Sequence, residues 1–317
     1  AKKIQPLKLK KDSYIMRFTR QWQLQTMVLP AIIFIFIFMY LPMWGVLIGF
    51  KDYNIYKGFA ESPWVGLKHF RYFINLPEFP RIMKNTLGIS IAKLVFGFPA
   101  PIILALMLNE VMNASLRRTI QTISYLPHFI SWVIVAGFVF ELLSVNNGSV
   151  NLLLRWLGII DENINWMSRK EYFWGILVVV NIWKGVGFNA IIYLAAISGI
   201  DPTLYEAAVV EGAGKLKRII YITLPCISKT IIILLILSVG NILNAGYDDI
   251  MLLTNMGKNG ILYDVSNTID IHVYTWGIEK QRFSYATAVG VFKSVLNVVM
   301  LYSANAISRK LSDSSLW

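Results

Sequence analysis

"DPTLYEAAVVEGAGKLKRIIYITLP", residues 201–225, is a charged, glycine-broken stretch set between two strongly apolar runs, about Tyr172–Ile197 and Ile219–Leu243. Each flanking run reaches the ~20 residues that a helix needs to cross a bilayer. Four more runs of that kind lie further out, at about Met27–Phe50, Met83–Leu108, Thr119–Leu143 and Ala286–Ile307. Bulk composition agrees. The chain has 317 residues, 56% of them hydrophobic and 15% charged, with a mean hydropathy of +0.55. A soluble domain of this length has no interior large enough for so much apolar surface. The expected fold is all-α, a polytopic membrane protein of six transmembrane helices. A basic tail, 1–26, precedes one helical domain, 27–310, and a short tail, 311–317, follows it.

The net charge of +12 fits topology setting better than nucleic-acid binding, because the basic residues cluster beside apolar runs. The N-terminal tail carries Lys2, Lys3, Lys8, Lys10, Lys11, Arg17 and Arg20, which should hold it in the cytoplasm. An even number of spans then places Arg309–Lys310, Arg117–Arg118 and the opening stretch on the same side. No small-residue cleavage site follows the tail, so the first span reads as retained. Pro99 and Pro101 should bend the second span. The outer loops, about Lys51–Ile82, Ser144–Glu171 and Asn244–Tyr285, are long enough to fold over the outer mouth. Cys226 is the sole cysteine, which excludes an intrachain disulfide and reads as a small packing residue.

Enzymatic signatures are missing. His69, His128 and His272 lie far apart and give no metal spacing. There is no H-E-x-x-H and no G-x-S-x-G. "GAGKLK" approaches the phosphate loop G-x-x-x-x-G-K-[ST], but Val209 stands where the first glycine belongs and Leu216 where Ser or Thr belongs. The chain is expected to bind no cofactor and no ATP by itself.

Within the opening stretch, Pro202–Gly212 reads as a short helix with Thr203 capping its start, Gly212 and Gly214 permitting a turn, and Lys215–Ile222 as a second helical stretch that leads into the next span. Both should lie along the membrane face. An amphipathic helix resting among headgroups would account for this composition. The residues also match E-A-A-x3-G-x9-I-x-L-P at every fixed position, through Glu206, Ala207, Ala208, Gly212, Ile222, Leu224 and Pro225. This resembles the cytoplasmic loop signature of ABC importer permeases. Further stretches, "LPMWGVLIGFKDYN" (41–54), "SPWVGLKHF" (62–70), "LLTN" (252–255) and "FSYATAVGVFKSVLNVVMLYSAN" (283–305), are similar to the LplB-type branch of the maltose-type carbohydrate permeases. That branch is associated with polygalacturonan, rhamnogalacturonan, aldouronate or alginate oligosaccharides.

The resemblance implies a type I ABC importer fold, with the loop 199–218 as a coupling helix that docks on an ATPase through Glu206, Ala207, Ala208, Gly212 and Ala213. It implies a homologous second permease subunit, two ATPase subunits that bind ATP and Mg, an external solute-binding protein, and the bacterial cytoplasmic membrane as location, with both termini inside. It also implies that the spans before and after the loop carry substrate contacts, at Lys184, Gly185 and Phe188 and at Ser238, Asn241, Ile242 and Ala245. The maltose-type pattern has an aromatic at the place of Asn241 and Asn at the places of Ile242 and Ala245. Asn241 and Asn244, three residues apart, offer amides from a rotated face.

Ionisable groups at mid-bilayer are costly and face a cavity or a partner. Lys93 is counted with the pathway, although it and Lys293 are also candidates for pairing within the bundle. Lys229 sits close enough to the interface to snorkel. Lys184, in "NIWKGVGFNA" (181–190), is read as the counter-charge of an acidic, uronate-containing oligosaccharide, because a buried ammonium offsets the desolvation of a carboxylate. A self-sufficient secondary transporter or channel would need a coupling-ion site and an internal repeat. An intramembrane enzyme would need a nucleophile and base. None of these stands out.

Overall fold

The computed structural model describes residues 21–311. The basic residues Lys2 to Arg20 and the segment 312–317 lie outside the described residues. Within them, five helices are long and apolar enough to cross a membrane: Trp22–Phe50, Phe79–Asn109, Lys170–Ser198, Lys215–Gly240 and Phe283–Lys310. They are the first, second, fourth, fifth and sixth spans. In the second, the helical ladder lapses at Phe98, just before Pro99, yet φ −69° and ψ −42° there remain helical. Pro99 and Pro101 lack the N–H groups that would bond one turn back.

The third span departs from the single straight helix expected over Thr119–Leu143. It is two helices, Ala114–Phe129 and Trp132–Leu142, bent by 103°. Pro127, inside the last turn of the first arm, removes a donor. Ile130 and Ser131 then turn extended, with ψ 134° and 150°. The Ser131 hydroxyl accepts from the Ile134 N–H at 3.4 Å and caps the second arm.

The short helix of the opening stretch is Pro202–Val210. Its N-cap is Asp201, not Thr203: the Asp201 carboxylate accepts from the Thr203 N–H at 3.0 Å. A carboxylate is the stronger acceptor there, and it also meets the positive end of the helix dipole. Lys215–Ile222 is not a separate surface helix. It runs through a π-helical turn, Ile219–Thr223, directly into Leu224–Gly240, so the fifth span starts at Lys215. Cys226 is exposed rather than packed.

The chain between Gly240 and Phe283 is the largest surprise. It forms three short α-helices, Asp248–Leu253, Tyr263–Ser266 and Ile269–Tyr274, the last continued by a π-helical turn, Thr275–Glu279, and much of it is buried. Ala245, Ile250, Met251, Leu253, Leu262 and Ile271 join Phe173, Leu177 and Val180 of the fourth span, Ile89 of the second, and Val135, Ala136 and Val139 of the third in one core. The segment is tied down by polar contacts at the spans' ends. Asn85 donates to the carbonyls of Asp264 (2.9 Å) and Asn267 (3.1 Å), and Trp174 to that of Val265 (2.8 Å). Asp264 pairs with Arg81 at 2.8 Å and with Lys170. A second core, around Phe73, Ile82, Ile269, Tyr285 and Val289, joins the 51–78 loop to the sixth span. The first span contrasts with all of this: no residue of Trp22–Ile35 is buried.

His272 lies in this outer packing, 1% exposed, with its Nε2 2.7 Å from the Tyr285 hydroxyl. Burial, and secondarily the charge of Lys280, push its pKa from 6.5 down to about 4. The neutral imidazole is therefore favoured when folded. Its contribution to stability is complete above pH 6.5 and is lost as pH falls toward about 4. Melting midpoints of the purified protein should fall through that window, and His272→Gln should flatten the fall. An unchanged slope in the variant would show that the acid sensitivity arises elsewhere.

Candidate functional site

A cavity of about 350 Å³ opens between the second, fourth and fifth spans. Its walls include Gly185 and Asn189 of the fourth span, Ser238 near the end of the fifth, and Asn241, Ile242 and Asn244 just beyond. Ser90 and Lys93 face it from the second span. The polar lining is thus hydroxyls, amides and one ammonium. Asn241 and Asn244 do not form a rotated helical face, because the fifth span ends at Gly240 and Asn241 is its C-cap. The Asn244 amide donates to the Asn241 side-chain oxygen at 3.1 Å. Ala245 is fully buried.

Lys184, expected beside Gly185 in the pathway, stands apart from this cavity. It is 9% exposed. Its ammonium donates to the backbone oxygens of Ile130 (2.6 Å), His128 (2.9 Å) and Pro127 (3.2 Å), with the Trp132 ring 5.4 Å away. These carbonyls lie where the third span breaks, and that of Pro127 also accepts from the Ile130 N–H at 3.2 Å. With three donors on three carbonyls, Lys184 serves the elbow. Phe188, one turn on, also faces the elbow, its ring stacked on His128 at 3.8 Å and 2°. Gly187 lies between them, where a Cβ would collide with the Ser124 backbone. Successive helix residues point about 100° apart, so Gly185 lines the cavity while Lys184 does not.

Lys93 and Lys293 are both paired. Lys293 meets Asp270. Lys93 donates to Asp249 Oδ2 at 2.5 Å and to the Ala245 carbonyl at 2.6 Å. Asn181 donates to the same Asp249 oxygen at 2.6 Å. Gly246 has φ +105°, and a Cβ there would strike the Asp249 carboxylate and, at 2.7 Å, the Lys93 ammonium. Sequence reasoning passed over Asp249, Asn181 and Gly246. Asp249 lies in a segment polar enough to read as a solvent loop.

The short helix Pro202–Val210 stands on its own caps. At its C-terminus Gly212 has φ +78°, its N–H bonds to the Val209 oxygen at 3.0 Å, and the Ala213 N–H reaches the Ala208 oxygen at 2.8 Å. That pair of bonds is a Schellman motif, and the positive φ is why glycine stands there. Tyr205 and Thr223 hydroxyls, 2.9 Å apart, pin the helix to the base of the fifth span. Glu206 and Ala207 are exposed, and so are Leu204, Val209, Val210 and Leu216, at 46%, 56%, 89% and 69%.

An apolar bundle with a polar cavity on one side and a self-capped helix holding the E-A-A-x3-G residues on the other agrees with the profile that matches residues 97–313, that of the binding-protein-dependent transport system inner membrane component. The chain belongs to this family. It is 42% identical over 305 residues to protein LplB of Bacillus subtilis (strain 168), covering 96% of this chain and 94% of that protein. To the polygalacturonan/rhamnogalacturonan transport system permease protein YteP of the same organism it is 41% identical over 310 residues, 98% and 95% of the two chains. Among solved structures, a chain of a bacterial alginate ABC transporter, crystallised with its alginate pentasaccharide-bound periplasmic protein, superposes with a TM-score of 0.84 at 41% identity, covering 95% of this chain and 98% of that one. The fold is that of a type I ABC importer permease, and the reading as a self-sufficient transporter or channel gives way to it.

Hydrogen bonds between membrane helices average about 0.6 kcal/mol each, so Lys184→Met, which removes three, should cost roughly 2 kcal/mol. The purified variant should show a lower melting midpoint. Its preference between charged and uncharged cargo should not change. A preserved midpoint together with an altered preference would return Lys184 to the pathway.

Proposed function

We propose that this chain forms half of the translocation pathway of an ATP-driven importer for acidic, uronate-containing oligosaccharides of pectin or alginate type. A homologous second permease supplies the other half. Two ATPase subunits bind ATP and Mg, and a solute-binding protein delivers the cargo on the external side of a bacterial cytoplasmic membrane, with both termini of this chain inside. The chain itself is a transport subunit and not an enzyme. The observation that carries this reading is the convergence of Gly185, Ser238, Asn241, Asn244 and Lys93 on one cavity, while the E-A-A helix projects from the bundle with its apolar side chains exposed. Hydroxyls and amides suit sugar hydroxyls. The cargoes for which its relatives are named, polygalacturonan/rhamnogalacturonan and alginate, support the acidic class.

In this reading Glu206, Ala207, Ala208, Gly212 and Ala213 dock in a groove of the ATPase. Closure of the ATPases on ATP moves the docked helices, and the bundle switches between inward-facing and outward-facing packings as rigid bodies. Lys184 and Phe188 act at the elbow of the third span and not on cargo.

Two measurements test this. Co-purification of the ATPase should be lost in Glu206→Lys and in Gly212→Pro. Retained ATPase and transport in both variants would overturn the docking assignment. Proteoliposomes holding the whole importer, with its binding protein, should take up tetragalacturonate or alginate pentasaccharide in preference to maltotetraose on ATP addition. A preference for maltotetraose would refute the acidic cargo.

A further inference from the structure

Lys93 is the one cationic side chain among the described residues that line the cavity. Two of its three N–H donors point at Asp249 and the Ala245 carbonyl, which leaves one donor uncommitted. Asp249 stands behind it, with only 4% of its side chain exposed against 16% for Lys93. Ser90 lies three residues earlier on the same helix, hence on the same face. Ser90 also lines the cavity and is 7% exposed, while its hydroxyl oxygen is itself buried and has no hydrogen-bond partner. Buried hydroxyls almost always find a partner, so an unmatched one at a cavity wall, one rotamer change from the open space, points to a ligand.

We propose that Ser90 and Lys93 form a carboxylate-reading site, and that Lys93, held by Asp249, Asn181 and the Gly246 turn, is the residue through which the importer senses the charge of its cargo. This deepens the proposed function and rests on it. The ligand class is the carboxylate of a uronate ring: Lys93 gives it a charge-assisted hydrogen bond and Ser90 a neutral one. Asp249 does two things here. It compensates the ammonium when no carboxylate is present, since a lone buried charge is unfavourable. It also weakens the ammonium's hold on cargo, which suits a group that must let the cargo pass on, because conduction needs binding that is favourable but readily reversed. Asn181 donates to Asp249 and keeps that carboxylate turned back from the cavity. Gly246 makes room, since any larger residue would push the pair apart.

The test uses the full importer in proteoliposomes, with binding protein saturated by cargo so that its own selectivity drops out. Uptake of tetragalacturonate and of alginate pentasaccharide is compared with uptake of each after chemical reduction of its carboxyls to hydroxymethyl groups. In Lys93→Gln the ratio of uronate to reduced cargo should fall about ten-fold, the size of one lost charge-assisted hydrogen bond. The double variant Lys93→Gln with Asp249→Asn leaves no unpaired charge and retains an amide pair, so its ratio should fall likewise even if the single variant assembles poorly. An unchanged ratio in the double variant, whatever its absolute rate, overturns the charge-reading role and leaves the pair a purely structural bridge. Failure of the cargo reading would look different: the wild type itself would import neither uronate, before any variant is made.

Discussion

A helix that breaks inside a bilayer frees carbonyls where no water can bond them. Here the break is at Ile130–Ser131, and the ammonium of Lys184 donates to three carbonyl oxygens around it, those of Pro127, His128 and Ile130. Much else follows from that contact. The elbow sets the direction of Trp132–Leu142, whose Val135, Ala136 and Val139 form the wall against which Asp248–Leu253 packs. That short helix in turn carries Asp249 to Lys93 and Asn181. The fourth span thus touches both ends of the chain of contacts, holding the elbow through Lys184 and the Asp249 carboxylate through Asn181.

Two lysines of the same bilayer region meet opposite circumstances. Lys184 is saturated by neutral carbonyl dipoles, which stabilise a cation without cancelling its charge. Lys93 meets a full carboxylate and keeps a donor toward open space. The distinction is angular. Lys184 and Gly185 are neighbours in the chain but point about 100° apart, so one faces the third span and the other the cavity. Charge and depth, the properties visible in a sequence, are the same for both.

Span positions were legible because hydropathy alone specifies them: Tyr172–Ile197 was expected and Lys170–Ser198 is found, and Met83–Leu108 lies within Phe79–Asn109. The short helix Pro202–Val210 was legible because its motif has fixed spacing. The elbow was not, since apolar residues continue across it, although Pro127 and Ser131 are a helix end and a helix cap in retrospect. Nor was the burial of the segment between Gly240 and Phe283, where Asp248, Asp249, Asp264 and Asp270 suggest solvent. Of these, Asp249, Asp264 and Asp270 meet basic partners from other spans. Composition records the charge but not its mate.

The double cap on Pro202–Val210 has a mechanical meaning. Asp201 closes one end and the Gly212 turn the other, so the helix keeps its form without help from lipid or partner. Behind the turn, Lys215–Gly240 is a continuous helix of 26 residues, about 39 Å at 1.5 Å per residue. In the proposed docking, force applied at this tooth would pass to a lever, Leu224–Gly240, whose far end lies beside Asn241 and the mouth of the cavity. The compliance of the device is concentrated in the few residues between tooth and lever, Glu211 to Gly214, and in the π-helical turn at Ile219–Thr223.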